Sequence, residues 1–292
     1  MSGKAGPSDH SDLKGDPAQH GNPVYEGVTT AISWLTIVPM RGAATFDRIT
    51  GRRAMAAAPV AGVIPGFVVG VLALLFAGLA SWSADPINGI NPALYPMFGA
   101  LLVCATEIVT RAMHIDGLAD VADALGSYRD PAGAQAILRD PSTGPMGAAT
   151  VALVLLVQAM SMGAIIAKIA QSDGSWGTQV AHASLLVIAT IAGRAAATTA
   201  CSSWFRPMSS TGFGGLTVGT QGTKTIALWW ALIAIGAWFA AGFLGIFATI
   251  VSLSSTVLFV RHCQKKLAGV NGDVLGATIQ IAVTVSLTIF AF

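Results

Sequence analysis

The stretch AMAAAPVAGVIPGFVVGVLALLFAGLA, residues 54–80, runs for 27 residues without a charged side chain. A helix of about 20 residues already crosses the apolar core of a bilayer, so this segment is long enough to span with tilt. Working outward, six further apolar runs occupy residues 93–113, 146–169, 181–205, 226–240, 242–260 and 274–292. The runs at 226–240 and 242–260 are short and meet at a tight Gly turn. Hydrocarbon leaves no partner for a backbone N–H or C=O outside the chain, so each run reads as a helix. The expected fold is all-α: a polytopic integral membrane bundle of about seven transmembrane helices. Pro59 and Pro65 are expected to kink the first span, which neighbouring helices tolerate.

The remainder of the chain agrees with this reading. It is 53% hydrophobic and 10% charged, whereas soluble domains carry about 25% charged residues. A net charge of +2 excludes nucleic acid as an obvious partner, and Cys104, Cys201 and Cys263 have neither disulfide nor metal spacing. Residues 1–25, rich in Gly, Pro, Ser, Asp and His, lack the apolar core of a signal peptide and read as a disordered cytoplasmic tail. Residues 26–292 then form one membrane-embedded domain. It opens with EGVTTAISWLTIVPM, residues 26–40, too short to span and closed by Pro39, hence a short interfacial or re-entrant helix. The loops at 41–53, 114–145, 206–224 and 261–273 carry Lys or Arg, whereas 81–92 carries none. This bias places the N-terminus and those loops in the cytoplasm and Phe292 outside.

The chemistry concentrates in TEIVTRAMHIDGLADVADALGSYRDPAGAQAILRDPSTGPMGAAT, residues 106–150, which holds six of the chain's 14 acidic residues. Asp116, Asp120 and Asp123 are spaced i, i+4, i+7 and stack on one helical face, where like charges repel. Burying three carboxylates in lipid would cost roughly 9 kcal/mol on insertion scales, so they face water or a charged ligand. A divalent cation is the natural compensation, and hard oxygen donors favour Mg2+ or Mn2+, often with substrate phosphates as further ligands. The alternative is a solvated acidic face.

Other residues are candidates beside this face. Gly117 is expected to break the helix and let Glu107, Arg111 and His114 converge on the carboxylates. Asp140 opens DPSTGPMG, where the amides of Gly144 and Gly147 are expected to approach a phosphate at a helix start. Arg194, inside an apolar span, is either a functional cation or the structural partner of Glu107. His114 reads either as a proton acceptor or as an anchor at the helix end. Asp273 reads either as a helix cap or as a ligand contact.

The run His114-Ile-Asp116-Gly117-Leu-Ala-Asp120-Val-Ala-Asp123 closely resembles the HxDGxxDxxD signature of the cobalamin (5'-phosphate) synthase family, the adenosylcobinamide-GDP ribazoletransferases. AISWLTIVPM resembles that family's opening helix, and Arg139-Asp140 with Gly144 and Gly147 its second acidic element. Arg194 and Arg206-Pro207 resemble its fourth-helix Arg and following loop, and GVNGDVLGA at 269–277 its closing motif. Ala124 and Pro141-Ser142 depart from the pattern, which carries Gly and Ser-Arg at those places. The resemblance implies a membrane transferase that joins adenosylcobinamide-GDP to α-ribazole or its 5'-phosphate and releases GMP. It implies Mg2+ or Mn2+ on Asp116, Asp120, Asp123 and Asp140, with catalysis by Asp116, Asp120, Asp123 and His114. Substrate phosphate contacts are expected from Glu107, Arg111, Arg139, Gly144, Gly147, Arg194, Arg206 and Asp273. It also implies a multi-pass protein of the cell (inner) membrane that assembles with itself or with other enzymes of the cobalamin pathway.

Two other classes fit less well. CDP-alcohol phosphotransferases share an acidic DGxxDxxD arrangement, but their DGxxAR signature is missing from this chain. A transporter would distribute its acids along a path and often shows an internal repeat; here the acids cluster in one loop.

Overall fold

The computed structural model describes residues 15–85, 87, 89–172 and 174–292. The elements are α1 (Pro23–Leu35), α2 (Arg48–Trp82), α3 (Leu94–Thr110), α4 (Met113–Gly126), α5 (Pro131–Ile137), α6 (Pro145–Ala170), α7 (Trp176–Ala200), α8 (Gly212–Thr217), α9 (Thr223–Lys266) and α10 (Gly272–Phe290). Among the described residues only isolated bridges, and no strand, accompany them. Starts follow capping chemistry: Asn22 accepts from the amides of Val24 and Tyr25, Asp47 from Ile49 and Thr50, and Asn271 from Val274. Pro23 and Pro145 occupy first turns, where the missing N–H costs nothing.

Five helices are long and apolar enough to cross a membrane, or six if the bent pair α3–α4 is one span. α9 is 44 residues long but turns at Gly242, whose φ of 57° and ψ of −133° are not helical. A Cβ on Gly245 would lie 2.0 Å from the Ala237 carbonyl oxygen. Residues eight apart in a straight helix are about 12 Å apart, so the two halves fold back on each other. Counted separately, they restore the seven membrane segments read from the sequence.

Small residues set the helix spacing, as expected where helices associate by packing in lipid. α2 lies along α7, and α3 lies against α6 through Gly99 and Gly163. Pro59 removes the hydrogen bond that the Met55 carbonyl would receive. Thr198 of α7 supplies it instead, its Oγ1 donating at 2.8 Å. α2 runs on as one helix through Pro59 and Pro65. Deeper polar contacts include Gln158 Nε2 to Gln280 Oε1 at 2.8 Å and Lys168 Nζ to the Phe290 carbonyl at 3.1 Å.

Two expectations are corrected. Gly117 does not break the helix; it sits inside α4. The break falls at Arg111 and Ala112, both left-handed at φ 59° and 53°, and turns α4 by 96° from α3. The expected tail, whose residues 1–14 lie outside the described part, is anchored from Gly15 onward. His20 bridges Glu26 at 2.8 Å and Asp47 at 2.9 Å, and Arg53 meets Glu26 at 3.0 Å. The interfacial helix expected at 26–40 begins at Pro23 and ends at Leu35.

Candidate active site

The 96° turn lays α4 across one end of the bundle and packs it on the start of α10. Two glycines make this crossing close. A Cβ on Gly117 would lie 2.7 Å from the Asp273 carbonyl oxygen, and one on Gly276 would lie 3.2 Å from the His114 Cα. Each glycine thus seats against a polar residue of the other motif, and Asp273 joins the face that carries the three expected carboxylates.

That face is crowded with negative charge. Partial burial, followed by the charges of Asp273, Asp116 and Asp123, pushes the Asp120 carboxyl up to about 6. Among the described residues the ion pairs lie at the His20 cluster, and none involves these four acids. Asp273 accepts only from Asn271 Nδ2, at 2.7 Å. Asp123 is committed differently: its two oxygens accept from the amides of Gly144 at 2.6 Å and Gly147 at 2.8 Å. The glycine amides expected to hold a phosphate therefore hold Asp123 at the start of α6. Among the described residues no three His, Cys, Asp or Glu side chains surround one point closely enough to hold an ion alone. Mg2+ ordinarily takes one or two carboxylates and completes its shell with water and phosphate oxygens, which this donor set fits.

Behind the acids lies a second polar group. Glu107 Oε1 accepts from Gln280 Nε2 at 3.0 Å, while its Oε2 has no partner. Arg194 is 1% exposed, donates to the Thr190 carbonyl at 3.3 Å and leaves Nε and Nη2 unpaired. The ion pair weighed for Arg194 and Glu107 is not formed within 4.0 Å. His114, 4% exposed, has an unpartnered Nε2. Burial, then Arg194 and Arg111, hold its imidazole well below the usual range, so it is a neutral base.

The remaining candidates are dispersed. The Arg111 guanidinium donates to the carbonyls of Ser33 at 3.3 Å and Trp34 at 2.8 Å, closing the end of α1. Arg139 and Arg206 are exposed, away from Arg194 in the bundle. Asp140 accepts the N–H and O–H of Ser142 and lines a small pocket with Asp123, and it is not among the charges acting on Asp120. Next to the acids opens a cavity of about 700 Å³, with His114, Arg111 and Asp273 in its wall. Its aromatic residues, Trp34, Phe46 and Phe213, escaped the sequence reading. They come from three separate segments, and no spacing links them.

The sequence profile of cobalamin-5-phosphate synthase matches residues 27–291. An adenosylcobinamide-GDP ribazoletransferase of Corynebacterium efficiens is 40% identical, over 98% of this chain and 95% of the relative. Enzymes of the same name from Corynebacterium glutamicum and Corynebacterium diphtheriae are 37% and 34% identical, covering 87% and 94% of this chain and 76% and 94% of the relatives. No solved structure matches. With the acidic face of α4, the Asp273 motif and this end-to-end similarity together, the chain belongs to the cobalamin-5-phosphate synthase family of membrane transferases.

Proposed function

We propose that this chain transfers the adenosylcobinamide phosphate of adenosylcobinamide-GDP to α-ribazole or its 5'-phosphate, forming adenosylcobalamin or its 5'-phosphate. The observation that carries the proposal is the carboxylate face of Asp116, Asp120 and Asp273, without an ion pair among the described residues, beside a cavity walled by a neutral His114. The ribazole 3'-hydroxyl attacks the phosphorus attached to cobinamide, the bridging P–O bond breaks, and GMP leaves. The Asp120 carboxylate, its pKa raised to about 6, or the buried, unpartnered His114 Nε2 would accept the hydroxyl proton. One or two of the carboxylates of Asp116, Asp120 and Asp273 would hold Mg2+ or Mn2+, which when bound neutralises the diphosphate and the departing phosphate. Asp123 keeps α4 on α6 through the Gly144 and Gly147 amides and so positions that face. Arg139 and Arg206, both exposed, would meet the donor's phosphates from solution.

The Lys/Arg bias of the loops supports placing the acidic end of the bundle in the cytoplasm and the chain in the cell (inner) membrane. Purified protein given adenosylcobinamide-GDP, α-ribazole and Mg2+ should release GMP in step with cobalamin formation. Chelator should stop the reaction and added Mg2+ restore it. GMP release that continues unchanged in chelator removes the cation from the scheme, and no GMP release at all removes the reaction.

A further inference from the structure

The cavity beside the acidic face is built unlike the face itself. Its volume of about 700 Å³ suits a small organic ligand. Trp34 and Phe46 lie nearly parallel, 14° apart with centroids at 6.2 Å, and Phe213 stands edge-on to Trp34 at 5.2 Å. Met55, Leu216, Leu275 and Ile279 extend the apolar wall. Polar side chains in the wall are few: Ser33, Arg111, His114 and Asp273. Two of these have assigned work in the resting structure, since Arg111 holds the backbone of Trp34 and Asp273 meets Asn271. His114 is buried, and its Nε2 has no partner.

A ligand that satisfies these walls is amphipathic. One end is a flat ring that lies on aromatic faces and asks for no hydrogen bonds. The other end carries a hydroxyl that meets the unpartnered imidazole and the acidic face. We infer that the cavity binds the heteroaromatic base of the nucleoside acceptor, with Trp34 and Phe213 as its stacking surface, and that it selects a hydrogen-bond-poor base over a purine. This inference rests on the proposed transfer, because it assigns the acceptor's place in it. The donor's guanine is the competing occupant. Its edge presents donors and acceptors that these walls leave unpaired, and a buried unpaired polar group is costly. Arg111 contributes by fixing the last turn of α1, which holds the Trp34 ring ready before the ligand arrives.

The test uses the full chain in lipid nanodiscs and separates acceptor from donor. The dissociation constants of α-ribazole and of GMP are measured directly. The KM values for α-ribazole and for adenosylcobinamide-GDP are measured in the transfer assay. Trp34→Ala should raise both the dissociation constant and the KM of α-ribazole about tenfold, the loss of one stacking surface, and leave the donor's KM and the GMP constant within about twofold. Trp34→Phe should recover most of the affinity. A nucleoside of the same sugar bearing adenine should bind wild type at least about tenfold more weakly than α-ribazole. Phe213→Leu gives an independent reading if Trp34→Ala does not accumulate. Unchanged α-ribazole binding in both variants overturns the inference, as does a loss confined to GMP, which would give the cavity to guanine. If wild type releases no GMP, the proposed transfer falls, and the α-ribazole titration still decides the cavity.

Discussion

At the scale of single residues, the structure separates carboxylates that the sequence presents as equivalent. Asp116→Asn and Asp120→Asn should each nearly abolish GMP formation while protein yield and melting temperature stay at wild-type values, because in the proposed reaction these side chains serve the ligand and not packing. Asp123→Asn should behave otherwise. It removes one of the two oxygens held by the Gly144 and Gly147 amides, a loss of about 1–2 kcal/mol. Its signature is a melting temperature lowered by a few degrees along with the activity; equal behaviour of all three variants would contradict the structure. The Asp120 carboxyl at about 6 fixes a pH dependence as well. If the proposed cation binds this carboxylate, apparent Mg2+ affinity should be full above that value and fall by about tenfold between pH 7 and pH 5. Without metal the sign reverses. The folded-state pKa is raised, so protonation relieves repulsion and stability rises as pH falls through 6. An affinity flat from pH 5 to 7 would show that Asp120 does not bind the ion. What the sequence showed here was the residue types and their i, i+4, i+7 spacing. It could not show that both oxygens of Asp123 are already occupied, since those donors lie 21 and 24 residues away.

At the scale of elements, the decisive feature is the crossing of α4 and α10. Gly117→Ala places a methyl group 2.7 Å from the Asp273 carbonyl oxygen, and backbone cannot yield as a side-chain tip does. Overpacking of this kind costs about 1–3 kcal/mol, and here it also displaces Asp273 from the acidic face. Activity should fall at least about tenfold, with a milder loss for Gly276→Ala, whose nearest neighbour is 3.2 Å away. Wild-type activity in Gly117→Ala would mean that Asp273 is not held at the site by this contact. The sequence analysis read Gly117 as a helix breaker because glycine is weak in helices. The actual break at Arg111 and Ala112 uses left-handed backbone without glycine, a conformation that residue type rarely announces. In this instance tertiary contact explains what propensity did not. Gly117 is where α4 meets the backbone of Asp273 at the start of α10, and the turn is held by Arg111 donating to the end of α1. The spans were legible for the opposite reason: hydrocarbon admits few alternatives, so length and lack of charge suffice.

For the whole molecule, the Lys/Arg pattern and the alternation of helices predict an orientation that side-specific labelling can check. A single cysteine replacing Ser127 should react with a membrane-impermeant reagent only from the cytoplasmic side, and one replacing Ser83 only from outside. The reverse pattern would invert the orientation and separate the acidic face from cytoplasmic substrates. The fit of α2 to α7 bears in addition on how the chain is made. Pro59 leaves the Met55 carbonyl without its helical donor, and that donor, Thr198, is synthesised 143 residues later. At about 5–20 residues per second, the ribosome needs on the order of 10 s to cover that distance. Over this interval the Met55 carbonyl, two residues from Arg53 at the edge of the span, takes its hydrogen bond from water, and the docking of α7 replaces that water with Thr198.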